Sequence, residues 1–199
     1  MGKFKFDEMK RLYVIGGCNG AGKTTASYTI LPDILDCREF INADEIARGI
    51  SPFQAEKANI EAGKWMLKRI NNLINSKESF AFETTLSSKN FARFLTKAKD
   101  LGYQVTCVFI WLESEELAIK RVKGRVEEGG HDIPEATIRR RYHRGLKNFF
   151  EIYKPIVDGW FFIDNSRGNF SVVAKGVNGE TTVLEKEIWE QIRTTHHGR

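Results

Sequence analysis

Nine consecutive residues, Gly17-Cys18-Asn19-Gly20-Ala21-Gly22-Lys23-Thr24-Thr25, fit the pattern G-x-x-x-x-G-K-[ST]. The chemistry of such a loop is phosphate binding. Its glycines let backbone N–H groups wrap a triphosphate, and the helix that follows favours negative charge at its N-terminus. Here Lys23 is placed to reach the β- and γ-phosphates, and the Thr24 hydroxyl to hold Mg²⁺. Gly17, Asn19, Gly20, Ala21, Gly22, Lys23, Thr24 and Thr25 are therefore the expected nucleotide-binding set, with ATP as ligand and GTP left open. The loop does not say where the γ-phosphate goes.

Two carboxylates recur in positions that could decide this. Asp44 follows a short apolar segment, Glu39-Phe40-Ile41-Asn42, and Glu83 ends Ser79-Phe80-Ala81-Phe82 and is followed by Thr84 and Thr85. In an open parallel sheet, residues just past the carboxyl ends of strands face the ligand crevice, which brings both acids near the phosphate loop. For Asp44 a helix N-cap is the competing role. Arginines supply the third element. Arg121 and Arg125 are four apart and share a helix face, while Arg139 and Arg141 flank the apolar stripe of the next helix. Two such helices joined by Gly129-Gly130-His131-Asp132-Ile133 read either as a lid that closes on phosphate or as a solvated basic pair.

The elements that must position these residues alternate. Residues 11–16 and 39–42 are expected strands, as are 79–83, 103–112 and 159–164. Helices are expected to begin at Thr24, faltering near Pro32, and at Ala43. Residues 55–76 carry a stripe of Ile60, Gly63, Leu67, Ile70 and Ile74, with Trp65 off it, half-exposed or lining a groove. Residues 88–101 end at Gly102, which suits a left-handed C-terminal position. Ser114 caps the helix that carries Arg121 and Arg125, and Pro134 opens the one carrying Ile138, Tyr142, Leu146, Phe149 and Tyr153. Segments 170–174 and 181–184 alternate about Asn178-Gly179 as a hairpin, and 185–194 is a closing helix. This order implies a three-layer α/β nucleotide-binding fold with a mainly parallel five-stranded sheet, a helical lid at about 114–150, and a C-terminal hairpin plus helix at about 168–194. No linker interrupts it, so 1–199 reads as one domain.

Composition narrows the setting. The chain has 199 residues, 41% apolar and 29% charged, enough for a sizeable single core. No apolar run approaches the roughly 20 residues that span a bilayer, and a signal-peptide core is missing, so a soluble, cytosolic protein without a membrane partner is expected. Three cysteines, Cys18, Cys37 and Cys107, form neither a paired framework nor a C-x-x-C. The adjacent His196 and His197 offer too few positioned ligands for a metal. A net charge of +5 is compatible with nucleic acid but equally with a phosphorylated substrate. Residues 1–10 alternate Lys and Phe as a short strand or loose end, with no function assigned.

Within this class, a guanine-specific N-K-x-D is missing, and strand 103–112 ends Trp111-Leu112-Glu113 rather than in the Asp of a motor ATPase. A kinase needs a base for the acceptor hydroxyl, a metal site, and cations around the transferring phosphoryl group; Asp44, Thr24 and the lid arginines supply that set. Rival readings are a polynucleotide 5′-hydroxyl kinase and a nucleotide-dependent nucleic-acid-binding regulatory ATPase; the scatter of basic residues and the missing aromatic stacking motifs disfavour a nucleic-acid partner.

The succession G-C-N-G-A-G-K-T-T, I-N-A-D-E-I-A, F-E-T-T-L-S, R-V-E-E-G-G-H-D-I-P-E-A-T-I-R-R-R-Y and I-D-N-S resembles the zeta toxin family of phosphoryl-transfer enzymes, from residue 11 to about 184. The resemblance implies a kinase in which Asp44 is the base, Lys23 binds phosphate and Glu83 helps form the acceptor site. It implies further that lid arginines, here Arg125 and Arg139 with Arg121 and Arg141 in reserve, grip the nucleotide phosphates. It also implies a small-molecule acceptor of the UDP-N-acetylglucosamine type and an antitoxin protein as partner. Lys89, Asn90 and Arg93 either contact an anionic acceptor or form an exposed polar helix face.

Overall fold

The computed structural model describes residues 9–33, 35–130, 132–177 and 179–197. The Lys/Phe segment at 3–6, His131 of the hinge, Asn178 of the hairpin turn and the terminal Gly198-Arg199 lie outside them. Apolar runs without a helical period become five parallel strands: β1 (Arg11–Gly17), β2 (Phe40–Ile41), β3 (Phe80–Thr84), β4 (Gln104–Trp111) and β5 (Gly159–Asp164). They lie side by side in the order β2-β3-β1-β4-β5. β1 at the centre pairs Val14 with Phe82 on one side and with Cys107 on the other.

The hairpin differs from expectation in where it goes. Its strands, β6 (Ser171–Val177) and β7 (Glu180–Val183), join the sheet antiparallel at β5, so the described sheet has seven strands instead of five. An open β5 edge would leave a row of unpaired N–H and C=O groups, and the hairpin satisfies them.

Helices cover both faces, giving the three layers. Alternate strand residues separate two cores. Leu12, Val14, Phe80, Phe82, Phe109 and Phe162 face α3 (Asn59–Ser76), α4 (Phe91–Asp100) and α8 (Lys186–His197). Tyr13, Ile15, Ala81, Val108, Ile110 and Ile163 face α1 (Lys23–Asp33) and α5 (Glu115–Glu127). On the first face Trp160 stacks on Trp189 with centroids 5.7 Å apart, and the Lys154 ammonium sits 4.7 Å from the Trp160 ring. This packs the C-terminal helix onto the sheet. No helix among the described residues is long and apolar enough to cross a membrane.

Several boundaries follow local chemistry. α1 runs one residue past Pro32 and ends at Asp33. Gly102 has φ 85°, the left-handed conformation that ends α4. Ser114 accepts from Leu117 N at the start of α5. In α3 the expected stripe holds at Ile70 and Ile74, which are buried with Ala62, Met66 and Leu73, while Gly63 and Leu67 are half-buried. It fails at Ile60, 78% exposed in the first turn of the helix, just after a 3₁₀ turn at Ala55–Ala58. Trp65 is half-exposed, with its indole N–H on Glu61 and Lys68 over its ring.

One helix does not belong to either layer. α6 (Glu135–Asn148) buries Ile138 in one core and Leu146 in the other, so it crosses over the carboxyl ends of the strands. A π-helical turn, Phe149–Tyr153, and the short α7 (Lys154–Ile156) complete the crossing.

Candidate active site

The phosphate loop is built where β1 gives way to α1. Gly17, Gly20 and Gly22 have φ of 142°, 79° and 87°, conformations that a side chain would strain. At Gly22 an added Cβ would also stand 2.7 Å from Asn165 Nδ2. That same Asn165 nitrogen donates to Ala21 O at 2.9 Å, and Arg121 donates to Asn165 O and Ser166 O at 2.7 and 3.1 Å. Arg121 thus braces the loop from outside. Lys23 is buried within the cradle and donates to Cys18 O at 2.9 Å.

Glu83 is the hub of the site. Its Oε2 accepts from Thr24 Oγ1 at 2.8 Å and from Asn42 Nδ2 at 2.9 Å, and its Oε1 lies 3.5 Å from Lys23 Nζ. Both members of that ion pair are nearly enclosed, with side-chain exposures of 7% and 10%. Asn42 was not singled out in the sequence, yet it does two jobs. Its Oδ1 accepts from Asp44 N and Glu45 N and so caps α2 (Ala43–Ile50), while its amide holds Glu83. Because Asn42 is the cap, the Asp44 carboxylate is not needed for capping and stands exposed at the lip of the cleft.

That cleft, about 320 Å³, lies over the strand ends. Asn19 and Lys23 of the phosphate loop, Arg141, Asp44 and Glu83 line it. Thr84, Thr85, Ser88 and Asn90, from the end of β3 and the loop after it, line it too. Thr85 Oγ and Ser87 Oγ are 2.8 Å apart. Asn90 is on the cleft, whereas Lys89 and Arg93 are exposed residues outside its lining. Thr25 is exposed on the first turn of α1.

The arginines divide in a way their spacing alone does not reveal. Arg141 donates to Asn19 Oδ1 at 3.2 Å from α6. Burial lowers its pKa and nearby Asp44 opposes that shift, so the two side chains sense each other across the cleft, and a guanidinium stays charged regardless. Arg139, two residues earlier, points about 200° away on the helix and pairs with Glu115 and Glu116 at 2.6 and 2.8 Å. Arg125 packs along the hinge, where a Cβ at Gly130 would be 2.6 Å from its Cγ. The structure therefore brings Lys23, Thr24, Asp44, Glu83 and Arg141 together, and seats Arg125 and Arg139 elsewhere on α5 and α6. Helix phase decides this: Ile138 and Leu146 are buried in the two cores, and the Tyr142 hydroxyl donates to Leu112 O at 2.7 Å.

The donor set fits the group the loop implies. The loop glycines hold positive φ and sit too close to Ile110, Ala118 and Asn165 to carry side chains, Lys23 lies inside, and Thr24 Oγ1 and a Glu83 oxygen supply hard oxygen ligands of the kind Mg²⁺ takes. Fold and site together are those of a P-loop kinase. The zeta toxin family model matches residues 2–158, and the chain belongs to that family. An uncharacterized protein of Haemophilus influenzae is 32% identical over 126 residues, 63% of this chain and 88% of that protein. The AvrRxo1-ORF1:-ORF2 crystal structure with ATP superposes with a TM-score of 0.73 at 18% identity, covering 92% of this chain. This chain spans 63% of that one. A structure from the PezAT chromosomal toxin-antitoxin system of Streptococcus pneumoniae gives a TM-score of 0.65 at 18% identity over 96% of this chain and 87% of its own.

Proposed function

We propose that the protein is an ATP- and Mg²⁺-dependent kinase that phosphorylates a hydroxyl group of a small metabolite, a nucleotide sugar of the UDP-N-acetylglucosamine type. The observation that carries this reading is the meeting of Asp44, Lys23, Glu83 and Arg141 on one cleft beside the glycine loop. In the proposed reaction an acceptor hydroxyl lies between Asp44 and the loop. Asp44 takes its proton as the oxygen attacks the γ-phosphorus of ATP, the bond from that phosphorus to the β,γ-bridging oxygen breaks and ADP leaves, and Lys23 and Arg141 balance the charge spread over the equatorial oxygens. Glu83 holds Thr24 and Asn42 and keeps Lys23 within reach. When bound, Mg²⁺ would neutralise phosphate charge beside Thr24 and Glu83. The hydroxyls of Thr84, Thr85 and Ser88 and the Asn90 amide offer the hydrogen-bonding wall that a polyhydroxylated acceptor needs. Arg125 and Arg139 are assigned to the lid, outside the immediate phosphate contacts.

An antitoxin protein partner belongs to the same proposal, supported by membership of the zeta toxin family and by the toxin-antitoxin system from which the pneumococcal structure comes, and a cytoplasmic setting is proposed with it. The test is an acceptor screen with γ-labelled ATP and, in parallel, GTP. Label transferred to UDP-sugars supports the reading. Transfer to 5′-hydroxyl oligonucleotides alone replaces it with a polynucleotide kinase, and release of inorganic phosphate with no acceptor labelled refutes it.

A further inference from the structure

The loop between β3 and α4 contains a conformation its sequence should resist. Leu86 has φ 54°, in the left-handed region where a Cβ-bearing apolar residue is disfavoured, and its side chain is fully buried. That side chain lies against β1, where a Cβ added to Gly16 would be 2.6 Å from Leu86 Cδ1. Backbone strain of this kind persists only when the surroundings over-determine it, and it concentrates at functional sites.

Four constraints hold the loop. Thr84 Oγ1 accepts from Leu86 N at 3.2 Å, a local bond. The other three come from a single distant stretch, residues 145–153. Gly145 brings the α6 backbone so close that a Cβ there would be 2.4 Å from Thr85 O. Asn148 Nδ2 donates to Leu86 O at 2.7 Å in a buried bond. The Tyr153 hydroxyl donates to Ser88 O. In a regular α-helix, residues five apart diverge by about 140° and could not grip one loop. The π-helical turn at Phe149–Tyr153, closed by Lys154 N on Phe149 O, turns Asn148 and Tyr153 to the same side. The gripped loop supplies Thr85 and Ser88, and the strand end before it Thr84, to the lining of the cleft.

The geometry points to Asn148 and Tyr153 as positioning residues that fix the acceptor wall by holding Leu86 in its left-handed conformation, from the far end of the helix whose Arg141 meets the phosphate loop at Asn19. Neither side chain lines the cleft. The inference rests on the kinase reading for the word acceptor, and on geometry alone for the clamp. It assigns control of acceptor affinity, separate from ATP affinity, to residues more than fifty positions away from the loop they hold.

Asn148→Leu keeps the volume and removes the donor; Tyr153→Phe removes only a hydroxyl. With the full chain, steady-state kinetics are measured at varied acceptor and varied ATP, together with amide hydrogen exchange. The expected result for Asn148→Leu is an acceptor KM about tenfold higher, on the scale of one buried hydrogen bond, with the ATP KM changed by less than about twofold. Tyr153→Phe should move the same parameter about threefold, and it carries the test if Asn148→Leu does not fold. Amides of 85–90 should exchange faster in both variants and those of 17–25 at the wild-type rate. Equal rises in both KM values, or unchanged exchange at 85–90, would overturn the proposal. A wild-type protein that phosphorylates nothing, with faster exchange at 85–90 in the variants, would instead retain the clamp and reject the kinase.

Discussion

Replacing Glu83 with Gln isolates one interaction in the hub. The two hydrogen bonds from Thr24 and Asn42 converge on Oε2, at 2.8 and 2.9 Å, so a glutamine carbonyl in that position keeps both acceptor contacts. Its amide then occupies the place of Oε1, 3.5 Å from Lys23 Nζ, and a donor faces a donor. At this separation and an effective dielectric of about 20, the lost attraction is about 5 kcal/mol. Lys23 retains its bond to Cys18 O, which lowers the cost to about 3 kcal/mol, at the low end for breaking a buried pair. For a chain of this size that corresponds to a melting temperature about 6–12 °C lower. The assay is thermal unfolding by circular dichroism, without nucleotide and then with increasing ATP and Mg²⁺. Because phosphate gives Lys23 a new anionic partner, ATP should raise the melting temperature of Glu83→Gln by more than it raises that of the wild type. A variant that melts within about 2 °C of wild type, or gains no more from ATP, would refute the assignment of Glu83 as the counter-charge of Lys23.

Other outcomes follow from the same geometry. Asp44→Asn should lower kcat by about 10²- to 10⁴-fold while leaving ATP affinity, read by calorimetry, nearly unchanged; full turnover would remove Asp44 as the base. Arg141→Ala should lower kcat by about 10²-fold, whereas Arg139→Ala, which breaks a part-buried contact with Glu115 and an exposed one with Glu116, should leave it within about threefold in a side-by-side assay. The reverse ranking would return the phosphate contact to Arg139. Burial pushes the thiols of Cys18 and Cys37 up to about 11 and that of Cys107 up to about 12, so all three stay protonated below about pH 10 and lack the reactive thiolate. A colorimetric thiol reagent at pH 8 should titrate none of them in the native protein and all three in denaturant.

The order of strands and helices, and with it the placing of Lys23, Thr24, Asp44 and Glu83 at strand ends, is legible because each depends on a short run of neighbouring residues. Apolar runs, a glycine motif and a polar residue directly after a strand are local signals. What needs distant partners is not legible. Arg139 and Arg141 look equivalent in sequence, and it takes the seating of their helix by Ile138, Tyr142 and Leu146 on distant elements to show that one meets Asn19 and the other Glu115. The stripe of α3 holds at Ile70 and Ile74 and fails only at Ile60, in the first turn, where no element among the described residues covers the side chain. Asn42 carried a faint signal, a cap-forming residue two and three positions before the acidic pair Asp44-Glu45, but its second bond to Glu83 spans 41 positions. Gly145 and Asn148 carry none, since a glycine and an asparagine in the last turns of a basic helix acquire meaning only from the Thr85 and Leu86 carbonyls against them.

The brevity of β2 has a thermal consequence. It is an edge strand of two residues whose register joins only Phe40 with Ala81 and Ile41 with Phe82, yet Asn42 and Asp44 hang from its end. The phosphate loop, by contrast, issues from the central strand, paired along its length on both sides. Warming should therefore melt the molecule unevenly: the margin that carries Asn42 and Asp44 frays while the glycine loop is still held, and phosphoryl transfer fades at temperatures where nucleotide is still retained.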